Sequence, residues 1–238
     1  MTLNEFESEL LKLNIKLTDI QKKQLEKYYE MLIEYNKIMN LTGITEKNQV
    51  YLKHFYDSIT LVKIINLNEY GTLCDIGTGA GFPGLVLKIV FPKLKVTLLD
   101  SLNKRINFLK EVITELSLTD IEAIHGRAEE FGRKEDFREG FDLCVSRAVA
   151  NLATLSEYCI PYVKTGGYFI PYKSGNIEEE LAASQKAIKV LGACVEEIQE
   201  FNLPGSDIGR SFVKIKKLEK TKQKYPRMGG KSSKEPIK

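Results

Sequence analysis

Leu73-Cys-Asp-Ile-Gly-Thr-Gly-Ala-Gly-Phe-Pro-Gly84, followed by Val96-Thr-Leu-Leu-Asp100, is the stretch on which the fold turns. An apolar strand runs into a loop with four glycines, and a second apolar strand ends on an acid. Glycine tolerates positive φ and has no Cβ, so the backbone at Gly77, Gly79 and Gly81 can turn tightly and approach a ligand closely. The acid, Asp100, can accept both hydroxyls of a ribose, as in nucleoside-binding α/β folds. Together the two segments predict a nucleoside-containing cofactor over the ends of neighbouring parallel strands.

Two cofactor classes compete for that loop. Gly79-Ala-Gly81-Phe-Pro-Gly84 satisfies the dinucleotide pattern G-x-G-x-x-G, which would make the chain an NAD-binding oxidoreductase. However, an acid, Asp75, precedes the denser Gly77-x-Gly79-x-Gly81 run, and it would repel a pyrophosphate. It suits a cofactor that carries an ammonium and a sulfonium. Asp-x-Gly-x-Gly-x-Gly resembles the first motif of S-adenosylmethionine-dependent methyltransferases. That resemblance implies S-adenosyl-L-methionine as cofactor, with Gly77, Gly79 and Gly81 cradling its methionine end and Phe82 covering it.

Length and composition bound the rest. A chain of 238 residues fits one α/β domain with an appendage, and 43% hydrophobic with 28% charged residues is ordinary for a globular protein. No apolar run reaches the length of a membrane span, and Met1-Thr-Leu-Asn-Glu does not read as a signal peptide, so a cytoplasmic protein is expected. Cys74, Cys144, Cys159 and Cys194 sit singly in apolar segments without Cys-x-x-Cys spacing. They read as buried reduced thiols, and no metal site is expected. Lys214 to Lys238 holds ten Lys or Arg against two Glu, a net +8, which leaves −5 on the preceding 213 residues. Such a tail suits a polyanion, nucleic acid before membrane, or is simply a solvated terminus.

The first 66 residues read as helical, with Thr18-Asp19 as an N-cap and Leu25, Tyr28, Tyr29, Leu32, Ile33 and Tyr35 near helical spacing. Asn40-Leu-Thr-Gly43 breaks the pattern, and a further amphipathic segment starts at His54. From about residue 71 strands and helices alternate. Strands are expected over 72–76, 95–100, 121–125, 141–146 and 167–173, with helices over 82–90, 103–116, 151–159 and 177–191. Two last strands, 194–203 and 210–217, flank Pro204-Gly-Ser-Asp207 and predict an antiparallel hairpin. The expected architecture is a Rossmann-like, mostly parallel methyltransferase sheet closed by that hairpin. It divides into a helical cap (1–66), a methyltransferase domain (67–219) and a basic tail (220–238). A dehydrogenase would need room for a second substrate domain, and none is visible.

The end of the fourth strand usually faces the substrate in such folds. Enzymes that methylate exocyclic amines commonly place Asn or Asp, Pro-Pro and an aromatic there. This chain has Ser146-Arg147-Ala148. Arginine only donates and keeps its charge, so Arg147 can bind phosphate, a carboxylate or a guanine edge but cannot act as a base. Cys144 lies in strand register and reads as core.

Asn40-Leu-Thr, His54-x-x-Asp57-Ser58, the Asp75–Gly84 loop, Leu99-Asp-Ser-Leu-Asn-Lys-Arg105, Arg127-Ala-Glu-Glu, Ser146-Arg-Ala and Lys224-Tyr-Pro-Arg-x-x-Gly occur in order and at family spacing. They resemble the glucose-inhibited division protein B family, the small subunit ribosomal RNA methyltransferases G, from about residue 18 to the end. The resemblance implies methylation of guanine N7 in the decoding-region loop of 16S ribosomal RNA, as naked RNA or within the small subunit or an assembly particle. It puts Ala128 and Glu129 beside the adenine and Asp100 on the ribose. Arg147 goes to the cofactor edge or the incoming guanosine, as a positioning group rather than a base. Lys104, Arg105, Lys173, Arg210 and Arg227 are assigned to RNA. One departure is Gly230-Lys-Ser-Ser, where relatives commonly carry a proline. His54 reads either as a satisfied core histidine or as a site residue. A methyltransferase for another RNA or a small molecule is the other reading.

Overall fold

The computed structural model describes residues 1–147 and 150–237. Two capping boxes start the helical segment: Thr2 with Glu5 opens α1 (Leu3–Lys12), and Thr18 with Gln21 opens α2 (Asp19–Met39). Each pairs two otherwise orphaned backbone donors. Helix α2 turns Leu25, Tyr28, Met31 and Leu32 inward and stops where Asn40 adopts a left-handed conformation, φ 50°. Next, α3 (Lys47–Val50) widens into one π-helical turn (Tyr51–Tyr56) and continues as α4 (Asp57–Ile59) and a 3₁₀ turn (Thr60–Lys63). Such wide turns often occur at functional sites, and this one carries His54 and leads into Asp57.

Seven strands follow: β1 (Thr72–Ile76), β2 (Lys95–Asp100), β3 (Ile121–His125), β4 (Phe141–Arg147), β5 (Val163–Ser174), β6 (Ala193–Asn202) and β7 (Gly209–Lys217). Their order is β3-β2-β1-β4-β5-β7-β6, parallel up to β5 and antiparallel from β5 to β7 to β6. This is the expected sheet with its closing hairpin. Strand β5 starts four residues earlier than predicted, because Val163 pairs with Phe141 across a register shift before the regular ladder resumes at Leu143 and Tyr168. Helices α5 (Gly84–Val90), α6 (Asn103–Glu115), α7 (Ala128–Phe131), α8 (Leu152–Cys159) and α9 (Glu178–Val190) connect the strands, and α10 (Lys231–Lys234) lies in the C-terminal segment.

Each sheet face has its own core. On one, Tyr28, Phe55, Leu85, Leu98, Leu109 and Ile170 join the N-terminal helices to the sheet. On the other, Cys74, Leu152, Leu155, Ile188 and Val213 pack under α8 and α9. Burying each such side chain contributes about 1.5–3 kcal/mol before entropy is counted. Among the described residues no helix is long and apolar enough to cross a membrane. The pairings Ile76–Leu99, Asp100–His125 and Arg147–Tyr172 bring the carboxyl ends of five strands to one edge, where a cleft opens.

Candidate active site

The glycine loop leaves β1 and folds back on β2: the Gly77 and Thr78 amides both donate to the Leu99 carbonyl, at 2.8 and 3.1 Å. The glycines serve different ends. Gly79, φ +62°, has no atom within 4 Å of where a Cβ would stand, so its free side faces the cleft. Gly81, φ +105°, is packed, since a Cβ there would lie 2.6 Å from the Tyr28 hydroxyl and 2.9 Å from Leu109. Gly77 and Gly79 therefore line the cleft, whereas Gly81 lets α2 and α6 close behind it.

Asp75 corrects one step of the sequence reading. Its carboxylate is fully buried and does not line the cleft. One oxygen accepts from Thr78 Oγ1 at 2.7 Å and from the Gly84 amide at 2.8 Å, which staples both ends of the loop. The acid that distinguished this loop from a dinucleotide site thus holds its shape and is not aimed at a cationic ligand. Burial pushes Asp75 up to about 6, partly offset by those two hydrogen bonds.

Asp100 is also almost buried and lines the cleft. Its Oδ2 accepts from the Gly79 amide at 2.9 Å and from Arg105 at 3.3 Å, and its Oδ1 accepts from the Leu102 amide at 2.9 Å. A carboxylate has about four acceptor sites. One is left, so in this arrangement Asp100 can take one ribose hydroxyl rather than two. Across the cleft, Ala128 and Glu129 begin α7, with Glu129 8% exposed and 4.0 Å from Arg127.

The floor of the cleft is a charged cluster. Arg147, at the end of β4, donates from Nη1 to the Lys53 carbonyl at 3.3 Å and to Asp57 Oδ2 at 3.2 Å. Arg210, entering β7, donates to the other oxygen of Asp57 at 2.8 Å. Arg147 Nη2 lies 3.3 Å from His54 Nδ1, and His54 Nε2 lies 2.8 Å from Thr42 Oγ1. A guanidinium only donates, so Nδ1 must accept and the proton belongs on Nε2. The His54 ring stacks on Phe82 with centroids 4.4 Å apart at 13°, and the Arg147 guanidinium lies 5.1 Å from the same Phe82 ring. Burial first, and Arg147 next, hold His54 down at about 3. Of its two earlier readings, the histidine is a neutral, half-buried member of the cleft wall.

Of the other residues assigned from sequence, Lys173 lines the cleft and bridges Glu180 and the Ala150 carbonyl, both at 2.7 Å. Lys104 is exposed and reaches the Met39 carbonyl at 3.2 Å, outside the cleft lining. Arg227 also lies outside it, on Glu157 at 2.7 Å. Ala148, of the Ser146-Arg147-Ala148 motif, lies outside the described residues. Sequence reading gave no role to Asp57, Glu157 or Lys53. An acid directly after Phe55-Tyr56 in an apolar helical stretch was the available signal for Asp57, and its partners stand 90 and 153 residues away.

The cleft encloses about 1130 Å³, above the roughly 300–1,000 Å³ typical of small-molecule pockets, so it has room for a nucleoside cofactor and a second group. The open approach over Gly79, the remaining acceptor site on Asp100 and the lining of Leu99, Ala128, Glu129 and Tyr158 fit S-adenosylmethionine. Seven cationic side chains line the cleft against four acidic ones.

The solved structures of similar fold include an S-adenosylmethionine-dependent methyltransferase from Aquifex aeolicus, with a TM-score of 0.53 and 18% identity, covering 74% of this chain and 96% of that one. Fibrillarin, the pre-rRNA processing protein of Methanococcus jannaschii, aligns with a TM-score of 0.53 at 15% identity over 67% and 74% of the two chains. The fold is thus the one seen in an S-adenosylmethionine-dependent methyltransferase, and the cleft has room for that cofactor. Residues 21–208 match the GidB family, described as rRNA small subunit methyltransferase G. Proteins called ribosomal RNA small subunit methyltransferase G are 55% identical in Lachnoclostridium phytofermentans, over 96% of this chain and 94% of that one, and 48% identical in Bacillus subtilis, over 100% and 99%. The chain belongs to the rRNA small subunit methyltransferase G family.

Proposed function

We propose that the protein transfers a methyl group from S-adenosyl-L-methionine to N7 of a guanosine in the decoding-region loop of 16S ribosomal RNA, acting in the cytoplasm on the small subunit or an assembly particle. Family membership supports the RNA substrate, and the cationic cleft agrees with it, since phosphate contacts dominate nucleic-acid affinity. The observation that carries the choice of N7 is the floor of the cleft. Arg147 only donates, and His54 is held neutral with its Nδ1 already accepting from Arg147. Guanine N7 has an in-plane lone pair in the neutral base, so its attack needs no proton removed.

The bound cofactor supplies a methyl group made electrophilic by its sulfonium. Gly77, Gly79 and Asp100 would hold its methionine and ribose ends, and Ala128 and Glu129 its adenine. Arg147 makes three hydrogen bonds with its five donors, so two remain to orient an incoming base or phosphate. The Phe82–His54 stack offers a flat wall beside it. Holding the nucleophile in line supplies about 7–11 kcal/mol of the barrier reduction through proximity and orientation. In paired RNA, N7 is sunk in a deep, narrow groove, so the reading requires a loop or extruded nucleotide. Incubation with labelled S-adenosylmethionine and unmodified 16S rRNA or small subunits should put the label on one guanine N7. Label on an exocyclic amine, a ribose or no RNA would refute it.

A further inference from the structure

We infer that the C-terminal strap, residues 221–237, forms one wall of the substrate cleft and that Lys234 on it contacts a phosphate of the bound RNA strand. The inference rests on the rRNA reading above and gives that reading a specific contact.

The strap is tied to the body of the protein along its length. Arg227 donates to Glu157 from its backbone amide at 2.7 Å, from Nε at 2.9 Å and from Nη2 at 2.7 Å, and Glu157 has no exposed surface. Arg138 reaches the Thr221 and Tyr225 carbonyls at 2.7 and 2.9 Å, and Arg133 reaches those of Lys224 and Pro226 at 2.9 and 2.8 Å. Thr154, in α8, donates to the Ser232 carbonyl at 2.9 Å. A chain held at these points runs past α8 and brings Gly230, Ser233 and Lys234 to the cleft.

The cations of this region divide into two groups. Arg133, Arg138 and Arg227 are occupied in fastening the strap. Lys234 is exposed, and among the described residues no carboxylate or carbonyl lies within bonding distance of its ammonium. It shares the cleft lining with Lys53, Lys173 and Arg210. A lysine is a flexible point charge that recognises phosphate without reading a base. Lys231, in the same short helix and also exposed, does not line the cleft, so it separates a local contact from a general field.

The test measures binding of the full-length protein to transcribed 16S rRNA across salt concentrations for wild type, Lys234→Ala and Lys231→Ala, with S-adenosylmethionine affinity as a control. Lys234→Ala should bind several-fold more weakly, with the log–log salt slope shallower by about 0.7–0.9, the value of one phosphate contact. Lys231→Ala should change less, and cofactor affinity should hold in both. An unchanged slope for Lys234→Ala, or equal losses for the two lysines, overturns the contact even where the wild-type protein methylates the RNA. A wild-type protein that transfers no methyl group to the RNA overturns the parent reading instead.

Discussion

Asp57 and Arg147, 90 residues apart in the chain, meet at 3.2 Å at the floor of the cleft, with Asp57 only 2% exposed. The second oxygen of Asp57 holds Arg210, so one buried carboxylate sets the direction of two guanidiniums that both line the cleft. Buried charges of this kind hold only as a set. Asp57→Ala should therefore destabilise the protein by about 3–5 kcal/mol, because it leaves two partly buried cations uncompensated. Asp57→Asn keeps the shape and some of the hydrogen bonding, so its stability loss should be smaller while methyl transfer still falls. Denaturant unfolding and single-turnover transfer would check this. Wild-type behaviour of both variants would show that Asp57 does not organise the two arginines.

The pH dependence of stability should reflect two opposed groups. His54 is held down at about 3 and Asp75 is raised to about 6, in each case by burial first. As pH falls below the ordinary histidine value near 6.5, the unfolded chain takes up a proton that folded His54 refuses, so stability drops until about pH 3. From about pH 6 to about pH 4 the folded chain protonates Asp75 before the unfolded chain does, so stability rises. The effects offset over that shared window, the histidine's full share being on the order of 5 kcal/mol. Asp75→Asn removes the compensation and should lose stability more steeply between about pH 6 and pH 4 than wild type. Parallel stability profiles for the two proteins would show that these shifts do not govern the response.

Much of this was legible in the sequence for a local reason. The first three strands run between residues that read directly as apolar runs bounded by turns, and the hairpin is announced by Pro204-Gly-Ser-Asp207. Arg147 and Asp100 could be found because chemistry concentrates at strand ends. Contacts between distant segments could not be read. Nothing local says that Glu157, in an apolar helix, waits for Arg227, or that Asp57 faces two arginines. The +8 tail illustrates the limit. Its charge suggested phosphate attraction or a solvated end, whereas Arg227 neutralises a buried acid and Tyr225 and Ser232 are buried.

The Glu157–Arg227 pair makes removal of the tail a test of folding more than of charge. Arg227→Ala leaves the buried Glu157 without its partner, a situation that costs about 3–5 kcal/mol, and truncation after Glu219 takes away Arg227 together with the strap carbonyls that hold Arg133 and Arg138. The truncated chain should unfold at clearly lower denaturant concentration than the full chain, and Arg227→Ala should reproduce most of the loss. A midpoint unchanged by either alteration would show the strap to be energetically idle.

Asp100 should matter to the loop as well as to the cofactor. It accepts from the Gly79 and Leu102 amides and from Arg105, so Asp100→Ala removes the staple between the glycine loop and the end of β2. Hydrogen bonds to a charged group contribute about 1.5–3 kcal/mol each, so S-adenosylmethionine affinity should fall at least tenfold through the ribose contact alone. Asp100→Asn should recover part of that, since one oxygen still accepts. Calorimetry giving equal affinity for wild type and Asp100→Ala would take the residue out of the cofactor site.

Arg147 separates positioning from proton transfer. Its guanidinium bonds the Lys53 carbonyl, Asp57 and His54 at once and lies over Phe82, a pattern that needs a planar fork. Lysine keeps the charge and loses the fork, so Arg147→Lys should depress methyl transfer substantially, and Arg147→Ala at least as far. Because His54 is held near 3, single-turnover transfer should show no step near neutrality that belongs to an enzyme base. In Arg147→Ala the His54 ring loses both the neighbouring charge that lowers its affinity for protons and the donor that occupies Nδ1. Its titration should then move up toward the ordinary range, visible in the ring proton shifts by NMR. A neutral-pH step in wild type that disappears in His54→Ala would make the histidine a base and reverse this account of the chemistry, while full activity in Arg147→Ala would leave the arginine a bystander.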